Sequence, residues 1–149
     1  MKSLGLLLLR VMTGGLMALH GYPKLFGGPN KQVSPQAEQI LGQGFTQSLQ
    51  GGGFNNFAGM VQSMQLPAPK ALAGAAAGAE FFGSLALILG WRTRLAALLL
   101  IADMLVAIRK VHWNNGILGQ GGYENNLLYL GGLITLFVAG PGKISLDRG

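Results

Sequence analysis

Cysteine is missing from all 149 residues of the chain. That excludes direct thiol–disulfide exchange, a thiolate nucleophile and thiolate metal ligation, and it leaves the redox compartment open. Charge is scarce as well. Asp, Glu, Lys and Arg make up 11% of the residues, against roughly a quarter in an ordinary soluble domain. Zinc-ligand spacing, a phosphate loop and a nucleophile elbow are all lacking: the many glycine pairs have no strand-to-helix context around them. Two histidines near helix ends do not by spacing identify a haem site. The net charge of +6 does not point to nucleic acid. The lysines and arginines are scattered over loops and helix ends, with no basic stripe interleaved with aromatic residues. That distribution fits cations snorkelling to a membrane surface.

What the chain has in abundance is apolar residues, half of the total. They fall in long blocks without period-2 alternation or a clean 3.6-residue period, the pattern of a helical membrane protein. Four spans are expected, at about residues 3–26, 68–89, 94–112 and 123–139. At ~1.5 Å rise per residue each is close to the ~30 Å hydrocarbon thickness. The expected fold is therefore all-α, an integral membrane four-helix bundle forming a single domain over residues 1–149. The N-terminus imitates a secretory signal, but Arg10 cuts its apolar core and Ala18-Leu19-His20 is no small-x-small cleavage site, so it reads as an uncleaved span.

Gly90-Trp91-Arg92-Thr93 is a tight link that makes spans two and three antiparallel neighbours, and a Gly-rich loop, Trp113 to Gly122, joins three and four. The first connection, 27–67, is long. Within it Asn55 or Asn56 can cap a short amphipathic helix with Phe57, Met60, Val61 and Met64 on one stripe, suited to a membrane surface or to roofing the bundle. Span two carries Gly74, Gly78 and the ladder Ala71, Ala75, Ala79, Gly83, small residues that allow close helix approach within the bundle or in a homo-oligomer. The short loop at Arg92 and Arg94 and the termini with Lys2, Lys143 and Arg148 favour both termini in the cytoplasm, in a bacterial inner membrane.

The remaining signal is charge inside these spans, which costs about 2.5–3.5 kcal/mol per group on insertion scales and usually faces a bundle interior or cavity. Residue counting places Arg10, Glu80 and Asp103 at one mid-membrane level, a candidate buried charge cluster in which Arg10 bridges Glu80 or Asp103. Towards the outer face, His20 and Lys24 form an i, i+4 pair, Arg109 and His112 an i, i+3 pair, and Glu124 opens span four. These five residues are candidates to hold an anionic or carbonyl-bearing head group and to exchange protons with it.

Several motifs occur in a characteristic order: Arg10 with His20-Gly21-Tyr22-Pro23-Lys24, Pro67-x-Pro69, and Glu80-x-x-Gly83 leading to Gly90-x-Arg92-x-Arg94. Ala107 then precedes Val111-His112-Trp113-Asn114-Asn115-Gly116, followed by Gly122-Tyr123-Glu124 and Gly140-Pro141-Gly142-Lys143-Ile144-Ser145-Leu146-Asp147. By these the chain resembles the DoxX family of small four-helix membrane proteins across nearly its whole length. The resemblance implies a membrane oxidoreductase subunit or accessory protein, related to a thiosulfate:quinone oxidoreductase subunit. It supplies no catalytic residues, and the lack of cysteine stands against an autonomous thiol redox role.

The expectation is thus a membrane subunit of a redox system, binding a quinone or a similar small lipophilic ligand between its helices. Electrons would come from a soluble or membrane redox partner, since no flavin, haem or iron–sulfur motif is visible. Two other readings belong to different classes: a small proton-coupled transporter using Glu80, and a non-catalytic scaffold for a partner protein.

Overall fold

A computed structural model describes residues 1–147; Arg148, counted above among the cytoplasmic cations, lies outside the described residues. Among those residues all regular structure is helical. Helix α1 (Lys2–Phe26) is followed by three short helices, α2 (Pro35–Leu41), α3 (Gln43–Gln50) and α4 (Phe54–Ser63). Helix α5 (Pro69–Gly78) runs through a π-turn (Ala79–Gly83) into α6 (Ser84–Leu89). Helix α7 (Thr93–Ala107) continues through a second π-turn (Ile108–His112), and α8 is Glu124–Ala139. Among the described residues two helices are long and apolar enough to cross a membrane, Lys2–Phe26 and Pro69–Leu89.

The chain forms two compact units, Met1–Met17 with Phe82–Gly149, and Ala18–Phe81. In the first, Met17, Leu87, Leu100, Leu133 and Leu136 form a core drawn from α1, α6, α7 and α8. In the second, Phe57, Ala58 and Val61 of α4 pack on Ala73 and Ala77 of α5.

The polarity of the surface is inverted relative to a water-soluble helical protein. Arg10, Thr13, Glu80, Ser84 and Thr93 are buried, while Leu4, Leu8, Met12 and Leu16 on α1 and Leu127, Leu128, Ile134 and Val138 on α8 are exposed. A long apolar outer face around polar interior groups is what a lipid solvent selects.

Three details differ from the sequence reading. The long connection carries three helices rather than one. Ser34 caps α2 by accepting from the Ala37 N–H at 3.2 Å, with Pro35 at the first helical position and Glu38 in the first turn, a start signal present in the sequence. Helix α4 begins at Phe54 after Gly53, and the Asn56 amide reaches back to the carbonyls of Gly51 and Gly52 instead of capping forward. The buried stripe of α5 is Ala73 and Ala77, whereas Ala71 and Ala75 of the expected ladder are exposed. The bulky Phe57 of α4 occupies this face, so the smallness of Ala73 and Ala77 serves a short helix above them.

Candidate functional site

The end of α1 and the turn after α5 build a buried ion pair. Lys24 stands in the last turn of α1, one residue after Pro23. Glu80, 3% exposed, opens the π-turn that follows α5. The Lys24 Nζ donates to Glu80 Oε1 at 2.5 Å and lies 4.7 Å from the centre of the Phe57 ring. A buried acid thus has a cation, and the cation has an aromatic face beneath it. His20, one helical turn before Lys24, is near enough for the charges of Glu80 and Lys24 to act on it. Tyr22, Phe26 and Phe81 pack on one another, with ring centres 5.0–5.9 Å apart.

Close backbone approach makes this geometry possible. A Cβ on Gly21 would lie 2.7 Å from the Phe81 nitrogen and 2.9 Å from the Glu80 Cβ, so only glycine lets α1 touch the turn that carries Glu80. Gly21→Ala is expected to destabilise the protein by about 1–3 kcal/mol through overpacking. Gly15→Ala, with nothing within 4 Å of its added methyl, should be neutral or stabilising by up to ~1 kcal/mol, since alanine is the better helix former. Thermal unfolding in detergent micelles distinguishes the two, and equal shifts of the same sign would contradict the packing argument.

The pairing differs from the sequence expectation, which set Lys24 in the outer layer and Arg10 against Glu80 or Asp103. Lysine has a four-carbon stem that carries its charge away from its own backbone level, so counting residues misjudged its reach. Arg10, 1% exposed, instead ends on backbone. Its guanidinium donates to the carbonyls of Leu87 and Ile88 at 3.4 and 3.2 Å and to that of Ile144. These are last-turn acceptors of α6 and the C-terminal strap, so Arg10 caps a helix C-terminus where orphan carbonyls and the helix dipole favour a cation. Gly90, at φ +68° directly after α6, leaves the room: a Cβ there would collide with the Arg10 guanidinium and Ser145. Asp103 is half-buried on α7.

The other outer-layer candidates lie in the unit that contains α7 and α8. Arg109 is exposed and sits 5.7 Å from the Trp113 ring, which stacks on Tyr123 at 5.7 Å and 9°. His112 uses Nδ1 on the Gly121 carbonyl at 2.7 Å, which ties the loop after the second π-turn. Glu124 is exposed in the first turn of α8. These contacts give Arg109 and His112 loop-shaping partners. Among the described residues no group of three His, Asp or Glu side chains could hold a metal ion.

Both π-turns coincide with ionisable side chains, Glu80 in one and Arg109, Lys110 and His112 in the other. Single π-turns within α-helices are frequent at functional positions because the extra residue displaces backbone hydrogen bonds and re-aims side chains. No sequence period announces them.

A feature the sequence carried without its chemistry is Asp147. Its carboxylate accepts from the backbone N–H of Arg92 at 2.9 Å and of Thr93 at 3.0 Å, capping α7 from 54 residues away in sequence. Leu146 and Asp147 also donate through their N–H groups to the carbonyls of Leu89 and Gly90. The backbone bonds from Thr93 and then Arg92 hold the Asp147 carboxyl below its ordinary value of 3.8. A depressed folded-state pKa stabilises the strap above pH ~4, and this contribution fades as pH falls through the folded value. The Thr93 amide NMR shift should therefore titrate with a midpoint below 3.8; a midpoint at or above it would show that the cap is not made.

Comparison with known proteins gives one match. The family model described as DoxX fits residues 5–113, a stretch that holds His20, Lys24, Glu80, Asp103, Arg109 and His112 and stops short of Glu124 and the C-terminal strap. Neither curated proteins nor solved structures yield a match. Because that model covers well over half of the sequence, the chain belongs to the DoxX family, a family of membrane proteins.

Proposed function

We propose that this protein is a four-span membrane subunit of a quinone-linked redox system, and that the Lys24–Glu80 pair is where the quinone ring docks. The observation that carries the reading is the pair itself: a buried carboxylate and an ammonium beside an aromatic group, with His20 within electrostatic reach. A quinone has a flat apolar ring and two carbonyl acceptors. Aromatic faces suit the ring, and Lys24, with three N–H donors on a flexible stem, can turn one towards a carbonyl while another stays on Glu80. Reduction of a quinone to a quinol takes up two electrons and two protons. The electrons come from a partner protein, and Glu80 and His20 would pass protons to the carbonyl oxygens.

The topology belongs to the same proposal. Residues 93–112 are continuously helical through the second π-turn, and α8 has 16 residues. With the two long helices these make four stretches of roughly 24–38 Å at ~1.5 Å per residue. Placing Lys2, Arg92, Arg94 and Lys143 on the cytoplasmic side of a bacterial inner membrane satisfies the positive-inside pattern.

The test is mass spectrometry of small molecules extracted from the full chain in lipid nanodiscs that contain ubiquinone. The native chain should retain quinone stoichiometrically, and Lys24→Met should lose most of it, about tenfold for one charge-assisted hydrogen bond worth ~1.5 kcal/mol. Equal retention by the two would remove the site from quinone binding. The buried acid also suits proton-coupled transport. That reading predicts proton flux in quinone-free proteoliposomes that Glu80→Gln abolishes.

A further inference from the structure

A second site lies at the opposite end of the sequence logic, in the unit formed by α1, α6, α7 and α8. A cavity of about 520 Å³ opens between the start of α7 and the segment after α8, within the ~300–1,000 Å³ range of small-molecule sites. Arg92, Arg94 and Lys143 line it together with Thr93, Leu95 and Ala139. Its one acid, Asp147, is already engaged by the N–H groups of Arg92 and Thr93. Asp147 therefore answers the α7 N-terminus and offsets one of the three positive charges, and the lining keeps a net cationic character. Among the described residues no salt bridge closes on Arg92, Arg94 or Lys143; Arg94 only reaches the Val138 carbonyl at 3.4 Å.

The wall of the cavity is not uniformly polar. Leu95 and Ala139 continue into exposed apolar surface, Leu98 and Leu99 on α7 and Phe137 and Val138 on α8. Trp91, 55% exposed, stands beside the mouth in sequence, a residue type that favours the membrane–water boundary. A cationic pocket that opens onto an apolar helix face matches an amphiphile with an anionic head. A small soluble anion would use the first feature and not the second.

We infer that this cavity holds the phosphate head group of an anionic phospholipid, with Arg92, Arg94 and Lys143 around the phosphate and acyl chains along α7 and α8. The site shares no residue with the Lys24–Glu80 pair and stands whether or not a quinone binds there. Its role would be to anchor the short 90–94 link and the C-terminal strap to an acidic membrane leaflet.

The experiment is native mass spectrometry of the full chain released from nanodiscs of phosphatidylglycerol and phosphatidylcholine mixed 3:7. The native chain should retain one phosphatidylglycerol in preference to phosphatidylcholine. Arg94→Gln with Lys143→Gln should lower that retention about thirtyfold, the effect of two surface cations on an acidic lipid. The charge-preserving Arg94→Lys with Lys143→Arg should keep it, which separates loss of charge from loss of fold. Adding inorganic phosphate at 10 mM distinguishes the sources of the anion. Phosphatidylglycerol that survives it supports the lipid, and complete displacement by phosphate overturns the lipid in favour of a free anion. Equal retention of the two lipids, or unchanged retention in the Gln double variant, also overturns the proposal.

Discussion

Arg10→Met is expected to lower the thermal unfolding midpoint of the protein in micelles by about 6–12 °C. The guanidinium is 1% exposed and serves the carbonyls of Leu87, Ile88 and Ile144. Methionine fills much of the volume but donates nothing; Leu87 keeps the Gly90 N–H at 3.0 Å, so the part-buried carbonyls of Ile88 and Ile144 lose their donor. Each buried group left unsatisfied costs about 1–3 kcal/mol, and relief of the buried charge offsets part of the sum. A net loss of about 3 kcal/mol corresponds to the stated shift, at ~2–4 °C per kcal/mol for a chain of this size. Arg10→Lys should fall between the two, because one ammonium cannot span acceptors on both α6 and the strap. A methionine variant within 2 °C of the native protein would mean that Arg10 does not hold the C-terminal segment.

The second large effect concerns Lys24 and Glu80, and it is non-additive. Lys24→Met removes the cation that faces a carboxylate 3% exposed, and removing one partner of a buried pair costs about 3–5 kcal/mol. The Lys24 side chain keeps 28% exposure, so the lower end of that range applies. Glu80→Gln should cost less, since Lys24 keeps the Phe57 face at 4.7 Å and some access to water. The double variant, with neither charge, should recover much of the loss. We expect a coupling of about 2 kcal/mol in a double-mutant cycle measured by denaturant unfolding. Singles that add to the double within ~0.5 kcal/mol would show that the two groups do not depend on each other.

Much of this architecture could be read from residue order. The apolar blocks located the long helices, and Gly90 and Gly140, at φ +68° and +77°, mark where two of them stop, because a chain leaving a helix needs the conformations glycine allows. What could not be read is rotation about each helix axis. When nearly every face is apolar, the 3.6-residue period no longer says which side turns inward, so Ala71 and Ala75 were as plausible a packing face as Ala73 and Ala77. The π-turn at Ala79–Gly83 compounds this, since one extra residue advances every later side chain by about 100°. The candidate site was legible as a set of residue types and illegible as a set of partners. His20, Lys24 and Glu80 were all singled out, yet the ion pair joins residues 56 apart through a lysine stem whose reach exceeds the error in depth. Asp147 was visible only as the last residue of the Gly140–Asp147 motif, because a carboxylate that caps a helix 54 residues away leaves no local signature.

Direct engagement of a quinone by Glu80 and Lys24 would register in the infrared difference spectrum of the nanodisc-embedded protein on addition of a short-chain ubiquinone. Carboxylate bands should shift on addition in the native chain and be absent in Glu80→Gln, together with a lowered quinone carbonyl stretch that returns towards its free value in Lys24→Met. Identical difference spectra for the native chain and both variants would contradict direct engagement.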